Sequence, residues 1–594
     1  MEYELKRGLV AVKSKQGVLV KWRLLGTESL STSFNIYRDG KKINHKPIND
    51  STNYLDPEGK IDSTYQLKVV KEGQEKSASE IKKVWQNNYL SLPLKKPAGG
   101  KTPDGEEYTY SANDASIGDL DGDGEYEIVL KWSPSNAHDN AHHGYTGETI
   151  LDAYRLDGTH LWRINLGPNI RAGAHYTQFM VYDLDGDGKA EVAVKTADGT
   201  VDGQGKVIGD SQADYRNQQG RILEGPEFLT IFSGEDGSEL VTDDYDPPRG
   251  QVSEWGDDYG NRVDRFLACV AYLDGKRPSL VMCRGYYTRT VLVAYNWRDG
   301  ELKKLWKFDS AEYDNPDYEG MGNHQLSVAD VDGDGKDEII YGAMTIDNDG
   351  TVLYSTGLGH GDALHVGDFD PERFGLEVLG IHEEAPHPTG INVRAAESGE
   401  VFWGIPTDRD VGRGVAANID PGYPGAQVWA AGSPLYDIKG NVISNKGITS
   451  VNFALWWDGD LQRELLDDNK IDKWDPQKEG LVNLLTAEQC SSNNYTKATP
   501  CLQADIFGDW REEVIWKTKD SKQLRIYTTT EPTEHRFHTF MHNRMYRLAV
   551  AWQNVAYNQP PHPDFYIGQE MEKTDFNFGQ AWQVLQEYEN LFED

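Results

Sequence analysis

Three stretches of this sequence set carboxylates at alternate positions around glycines. They are Asp119-Leu-Asp121-Gly-Asp123-Gly with Glu127, Asp183-Leu-Asp185-Gly-Asp187-Gly with Glu191, and Asp330-Val-Asp332-Gly-Asp334-Gly with Glu338. Glycine lets the backbone double back, so the acids of one turn converge. Acids that close repel one another unless a hard cation lies between them, and all-oxygen ligation of this kind suits calcium. An EF-hand or dockerin loop would need glutamate at its twelfth position. Here that position is Leu130, Val194 or Tyr341, and the acid stands at the ninth. Runs such as Phe179-Met-Val-Tyr182 before one array and Ile128-Val-Leu130 after another read as strands. The arrays are therefore read as calcium staples between two strands. A bare acidic turn is the alternative, and three like arrays argue against it.

A second ligand-type group is spread over Asn323-His324-Gln325, His360-Gly-Asp362 and His382-Glu383-Glu384. His324, His360, Asp362 and Glu383 fall in consecutive repeat units. If those units present equivalent loops to one mouth, two imidazoles and two carboxylates could share a divalent ion there. By residue type alone a transition metal fits as well as calcium, and so do separate hydrogen-bonded side chains. Residues 535–563 hold His535, Arg536, His538, His542, Arg544, Arg547 and His562 with Tyr546, Trp552 and Tyr557. In an acidic chain this is a local positive region. Its rings could stack on sugars, or its arginines could pair with buried acids. Lys497, Arg409 and Arg413 are ordinary surface cations on spacing alone.

The elements that must carry these residues repeat. Degenerate copies of the acidic loop occur at Tyr272-Leu-Asp274, Asp368-Phe-Asp370, Asn418-Ile-Asp420 and Asp505-Ile-Phe-Gly-Asp509, each between strand-like runs. One propeller blade takes ~40–50 residues, so seven copies and a closing blade from the C-terminal region predict eight blades. The fold class is therefore all-β: an eight-bladed β-propeller over 86–594, closed to remove sheet edges. Residues 1–85 alternate differently, as in Val18-Leu-Val-Lys-Trp22 and Tyr65-Gln-Leu-Lys-Val69, and resemble a fibronectin type III-like β-sandwich. Helical signals are few. Leucines over 459–489 and the stretch from Trp582 to Phe592 predict short helices.

The chain has 594 residues and a formal net charge of −36. Nucleic acid and anionic membranes are therefore poor partners, and cations are good ones. No run is apolar enough to span a bilayer, and no signal peptide is evident at the start. The expectation is a cytoplasmic monomer, or a secreted one whose leader was removed before residue 1. Cys269, Cys283, Cys490 and Cys501 are expected to be reduced and buried.

Arg171-Ala-Gly-Ala-His175-Tyr-Thr-Gln-Phe, Gly359-His-Gly-Asp-Ala-Leu-His365, Gly508-Asp-Trp-Arg-Glu-Glu513 and Ala551-Trp-Gln-Asn-Val-Ala-Tyr-Asn-Gln-Pro-Pro-His562 resemble the family 11 polysaccharide lyases, the rhamnogalacturonan lyases. The resemblance covers essentially the whole chain. It implies an eight-bladed propeller with several calcium ions. The implied substrate is the pectic rhamnogalacturonan I backbone of alternating rhamnose and galacturonic acid, cut by β-elimination. It also implies a catalytic calcium at His324, His360, Asp362 and Glu383. Lys497, Arg413 and Tyr557 become expected catalytic residues, and Asn494, Thr496 and Asn113 expected substrate contacts. A non-catalytic calcium-dependent binding propeller and a glycoside hydrolase, which needs two flanking carboxylates, remain the competing functions.

Overall fold

The computed structural model describes residues 5–71, 73–312, 316–569 and 571. Val10 to Trp85 carry an eight-stranded sheet folded on itself. Strand Lys82–Trp85 joins its halves, pairing parallel with Val10–Ser14 and antiparallel with Thr64–Lys71. Period-two alternation along Thr64–Lys71 turns Tyr65, Leu67 and Val69 inward onto Trp22, Phe34 and Ile36.

Eight further sheets, each with at least four strands, form the propeller. The innermost strands are Tyr110–Gly118, Phe179–Tyr182, Phe266–Ala271, Ser327–Ala329, Gly361–Gly367, Gly414–Ala417, Phe453–Leu455 and Leu502–Ala504. The closing blade is composite rather than wholly C-terminal. Strand Tyr89–Pro93, from the start of the propeller, pairs with Gln523–Tyr527, so both ends of the ring lie in one sheet and no edge is left there. All four cysteines are free and buried.

One hydrogen bond recurs around the ring and explains the spacing of the acidic loops. The acid that opens the second strand accepts a backbone N–H from the exit of the first. Glu127 takes Leu120 at 2.9 Å, Glu191 takes Leu184 at 2.8 Å and Glu338 takes Val331 at 2.8 Å. Glu377, Gln427, Glu464 and Glu513 do the same for Phe369, Ile419, Trp457 and Ile506. Each turn is thereby pinned at both ends, and its aspartates are driven together.

In three degenerate loops a lysine ammonium meets these acids. Lys439 Nζ lies 2.7 Å from Asp370 and 3.2 Å from Glu372. Lys473 contacts Asp458, Asp460 at 2.6 Å and Glu464 at 3.0 Å. This seventh-blade copy escaped the sequence reading because Trp456 stands where the full copies have their first aspartate. Lys21 comes from the N-terminal sheet. Wholly buried, it donates to Thr528 Oγ1 at 2.6 Å and lies 3.4 Å from Glu513 and 3.8 Å from Asp509. A protein cation there offsets the like charge that a metal would offset elsewhere. Lys21→Met keeps the length and removes the charge, leaving buried Glu513 without its cation while Arg511 still pairs with Asp509 at 2.7 Å. We expect a loss of about 3 kcal/mol in urea unfolding, and an unchanged midpoint would contradict this role for Lys21.

The helices expected over 459–489 are strands Glu464–Asp467, Lys470–Asp475 and Gly480–Thr486 of the seventh blade. Leu465 faces the sixth-blade core and Leu466 the eighth. A strand buried on both faces shows adjacent leucines, which mimic helical spacing. The stretch Trp582 to Phe592 lies outside the described residues. The α-helix that does form, Arg544–Trp552, went unforeseen within the basic segment. Asn543 caps it, its side chain accepting from Tyr546 N at 3.0 Å. It packs against the innermost strands of blades one to four and eight and so fills the channel. Arg547 donates to the carbonyls of Ile117 and Val181, and Arg544 lies 3.0 Å from Asp337. Tyr546 and Trp552 are buried and so are corrected from possible sugar platforms to core. Among the described residues no helix is long and apolar enough to cross a membrane.

Candidate active site

The acidic turns join first to second strands. The loops that enter each first strand must therefore open at the other end of the ring, because neighbouring strands run antiparallel. There His175, Arg265, His324, His360 and Arg413 each stand a few residues before an innermost strand, with Tyr286, Tyr287 and Glu383 just after a second strand. Tyr557 follows the channel helix, and its N–H donates to His324 O at 3.1 Å.

The histidine group predicted from sequence comes together. Atoms of His324, His360 and Glu383 lie within 4.8 Å of one another, and His324 Nε2 is 3.5 Å from Asp362 Oδ1. His360 Nδ1 meets the carbonyl of Gly322 at 2.5 Å. That contact requires the proton on Nδ1 in the neutral ring and leaves Nε2 with a bare lone pair. His360 Nε2 and Glu383 Oε2 are 3.0 Å apart, yet both are buried atoms with no hydrogen-bond partner. Two lone pairs facing at that distance need a proton or a cation between them, so the donor set fits a bound cation. Tyr286 OH bridges His175 Nδ1 at 3.1 Å and His324 Nδ1 at 3.0 Å, and Tyr287 OH lies 2.9 Å from His324 Nε2. Burial holds the His324 imidazole well below its usual range, hence neutral and ligand-competent. Burial, then the charges of Asp410 and Glu383, push the Asp362 carboxyl up to about 8.

Beside this group one ring and two cations stack. Tyr557 lies on His324 with centroids 4.0 Å apart and planes at 13°. Lys497 Nζ sits 3.6 Å from the Tyr557 ring centroid, and the Arg413 guanidinium 4.4 Å. Among the described residues neither cation has a carboxylate within ion-pair distance. The Arg413 guanidinium donates to the carbonyl of its neighbour Gly412, at 2.6 Å. Burial, reinforced by Arg413, lowers the Lys497 ammonium to about 8. Burial raises the Tyr557 phenol to about 12, so it keeps its proton at neutral pH.

Lys497 owes its place to a strained turn. Asn494, Tyr495 and Ala498 take φ of 60°, 52° and 49°, conformations that disfavour residues with a Cβ. The Asn494 amide holds the turn by donating to Asp114 at 3.1 Å, Thr499 at 3.0 Å and Asn558 at 2.9 Å. Asn113 donates to Asn494 Oδ1 at 3.3 Å. Asn494 and Asn113 thus bond each other at the mouth, while Thr496 stands exposed on the lip.

In each full acidic loop the first two aspartates and the glutamate converge: Asp119, Asp121 and Glu127; Asp183, Asp185 and Glu191; Asp330, Asp332 and Glu338. Each trio could hold a metal ion. Asp123, Asp187 and Asp334 fall outside the trios and instead accept the N–H two residues on, each at 2.8 Å. Burial, with the aspartates' like charge, pushes Glu127 up to about 8 and Glu191 and Glu338 to about 9. A cation among these acids would offset the like charge that burial makes costly.

Several residues of the site carried no signal in the sequence reading. Nothing in their spacing marks His175, Tyr286, Tyr287, Arg262, Arg265 or Asp139. Arg265 pairs with Asp139 at 2.8 Å, and Arg262 lies over the Tyr287 ring at 3.9 Å. His365 and His562 pack on each other in the core, 3.0 Å apart.

A propeller whose mouth gathers buried histidines and cations without ion pairs among the described residues is a class with known members. Residues 89–577 match the model of the rhamnogalacturonan lyase family 11 C-terminal domain, and 1–85 match the β-sheet domain of rhamnogalacturonan I lyases. The chain belongs to rhamnogalacturonan lyase family 11. It is 62% identical over 589 residues to the rhamnogalacturonan exolyase YesX of Bacillus subtilis (strain 168), covering 96% of each chain. It is 63% identical to the rhamnogalacturonan endolyase YesW of the same organism, covering 96% of this chain and 91% of that protein. The Bacillus licheniformis rhamnogalacturonan lyase PL11 structure superposes with a TM-score of 0.95 at 65% identity, over 96% of this chain and 97% of the other.

Proposed function

We propose that the chain cleaves the rhamnogalacturonan I backbone by β-elimination at galacturonate, leaving an unsaturated uronate end. One observation carries this reading beyond family membership. Lys497 and Arg413 sit over Tyr557 with no ion pair among the described residues, in a chain of net charge −36. Two buried cations left without an ion pair are suited to an acid brought by the substrate.

Arg413 stays charged near neutral pH and binds the galacturonate carboxylate. His324, His360, Asp362 and Glu383 would hold a calcium ion, which would supply a second positive charge beside that carboxylate. Neutral Lys497 takes the C5 proton. The released electron pair forms the C4–C5 double bond as the C4–O4 bond breaks. Tyr557, still protonated, donates to the departing O4. Asn494 and Asn113 set the turn that aims Lys497, and Thr496 lies where the chain enters. The Asp119, Asp183 and Asp330 loops would hold structural calcium, with Asp123, Asp187 and Asp334 shaping the turns.

The test is a digest of rhamnogalacturonan I with calcium present. The reading predicts rising ultraviolet absorbance from unsaturated uronate in step with new chain ends. New reducing ends without that absorbance would make the protein a hydrolase, and neither signal would leave a binding propeller.

A further inference from the structure

Two arginines flank the Tyr287 ring, and only one of them is spent. Arg265 lies 5.5 Å from the ring centroid and is buried. Its guanidinium donates to Asp139 at 2.8 Å, to Asn261 O at 2.7 Å and to Asn261 Oδ1 at 2.5 Å. Arg262 lies closer, 3.9 Å from the centroid, and is only half-buried. Among the described residues its guanidinium makes no hydrogen bond and meets no carboxylate at ion-pair distance. Its backbone, in contrast, is fixed. Asp257 accepts N–H bonds from Tyr259, Gly260 and Asn261 through Oδ1, and from Arg262 at 2.7 Å through Oδ2. A free guanidinium on a pinned backbone and an aromatic seat is pre-positioned for a planar anion.

Its place relative to the chemistry is defined by a chain of contacts. Arg413 lies 4.4 Å from Tyr557, Tyr557 is stacked 4.0 Å from His324, and the His324 and Tyr287 rings are 5.5 Å apart. Arg262 is the next contact along. The two arginines, neither in an ion pair among the described residues, therefore stand at opposite ends of the ring contacts that run through the histidine group. Resting on the proposed function, the substrate carries a carboxylate on every second sugar. A polymer bound at Arg413 presents another galacturonate one disaccharide repeat away.

We propose that Arg262, seated on Tyr287, is a second carboxylate subsite that binds the galacturonate next to the one being cleaved. It positions the polymer and takes no part in proton transfer. A bidentate guanidinium–carboxylate contact recognises galacturonate over a neutral sugar. It adds affinity only when the substrate is long enough to reach it.

The experiment compares wild type with Arg262→Ala and Arg262→Lys. The substrates are oligomers of the alternating backbone, in pairs that differ by one disaccharide repeat at either end. Wild type should gain in kcat/KM on the extension that fills the subsite. In Arg262→Ala that gain should vanish, with KM for the longer oligomer up about tenfold and kcat changed less than twofold. Arg262→Lys should recover part of the gain, since it keeps the charge and loses the fork. Equal loss on both members of every pair, a fall confined to kcat, or a full gain retained by Arg262→Ala would each overturn the subsite. A wild type that cleaves no oligomer would instead overturn the function on which the proposal rests.

Discussion

Lys497→Ala should lower kcat on rhamnogalacturonan I about 10³-fold while leaving the thermal unfolding midpoint within about 2 °C of wild type. The second half follows from the geometry. Lys497 has no ion pair to lose, and its ammonium rests on the Tyr557 ring at 3.6 Å rather than on a structural acid. The first half follows from its chemistry. Removal of the C5 proton needs an unprotonated base near neutral pH, and Lys497 is lowered to about 8 by burial and by Arg413. Lys497→Arg separates this role from mere carboxylate binding. Arginine restores the charge but holds its proton, so that variant should be as inactive as the alanine one. The sign of the pH dependence is fixed as well. The base works deprotonated, so wild-type kcat/KM should rise with pH up to about 8 and level above it. A Lys497→Arg variant with more than a tenth of wild-type kcat would remove Lys497 as the base.

Much of the architecture could be read from the acidic loops, because their spacing is enforced locally. A glutamate such as Glu127 must open the second strand to accept the N–H of Leu120, so the loop and its two strands leave one joint pattern. Blade seven broke that pattern at Trp456, and its leucines, buried on both faces, read as a helix. The channel helix was missed for a related reason. It is enclosed by inner strands, so its outer face is not polar in the usual way, and Arg547 serves backbone carbonyls instead of water. At the site, His324, His360, Asp362 and Glu383 were found because ligand-type residues recurred in consecutive units. Tyr286 and Tyr287 were not, since tyrosines in a chain rich in them carry no spacing signal. Their role as partners of His324 exists only once blades three and four adjoin. Lys497 and Arg413 look ordinary in sequence. What marks them is burial without an ion pair among the described residues, a property of the folded mouth.

The second large effect concerns the cation of the histidine group. Glu383 Oε2 and His360 Nε2 face each other at 3.0 Å without a hydrogen bond, and an ion there would act on the substrate carboxylate. The acidic loops should bind calcium more tightly than this group. They gather three carboxylates each, whereas the histidine group offers only two carboxylates and two imidazoles, which are poor calcium ligands. Lowering free calcium should therefore empty the catalytic position before the structural ones. The measurement is turnover against free calcium, set by a chelator, with near-ultraviolet circular dichroism of the buried tryptophans followed in the same samples. The account predicts a fall in kcat of at least about 10²-fold while the dichroism is still native, reversed on adding calcium back. Undiminished turnover in protein shown by elemental analysis to be free of metal would contradict it.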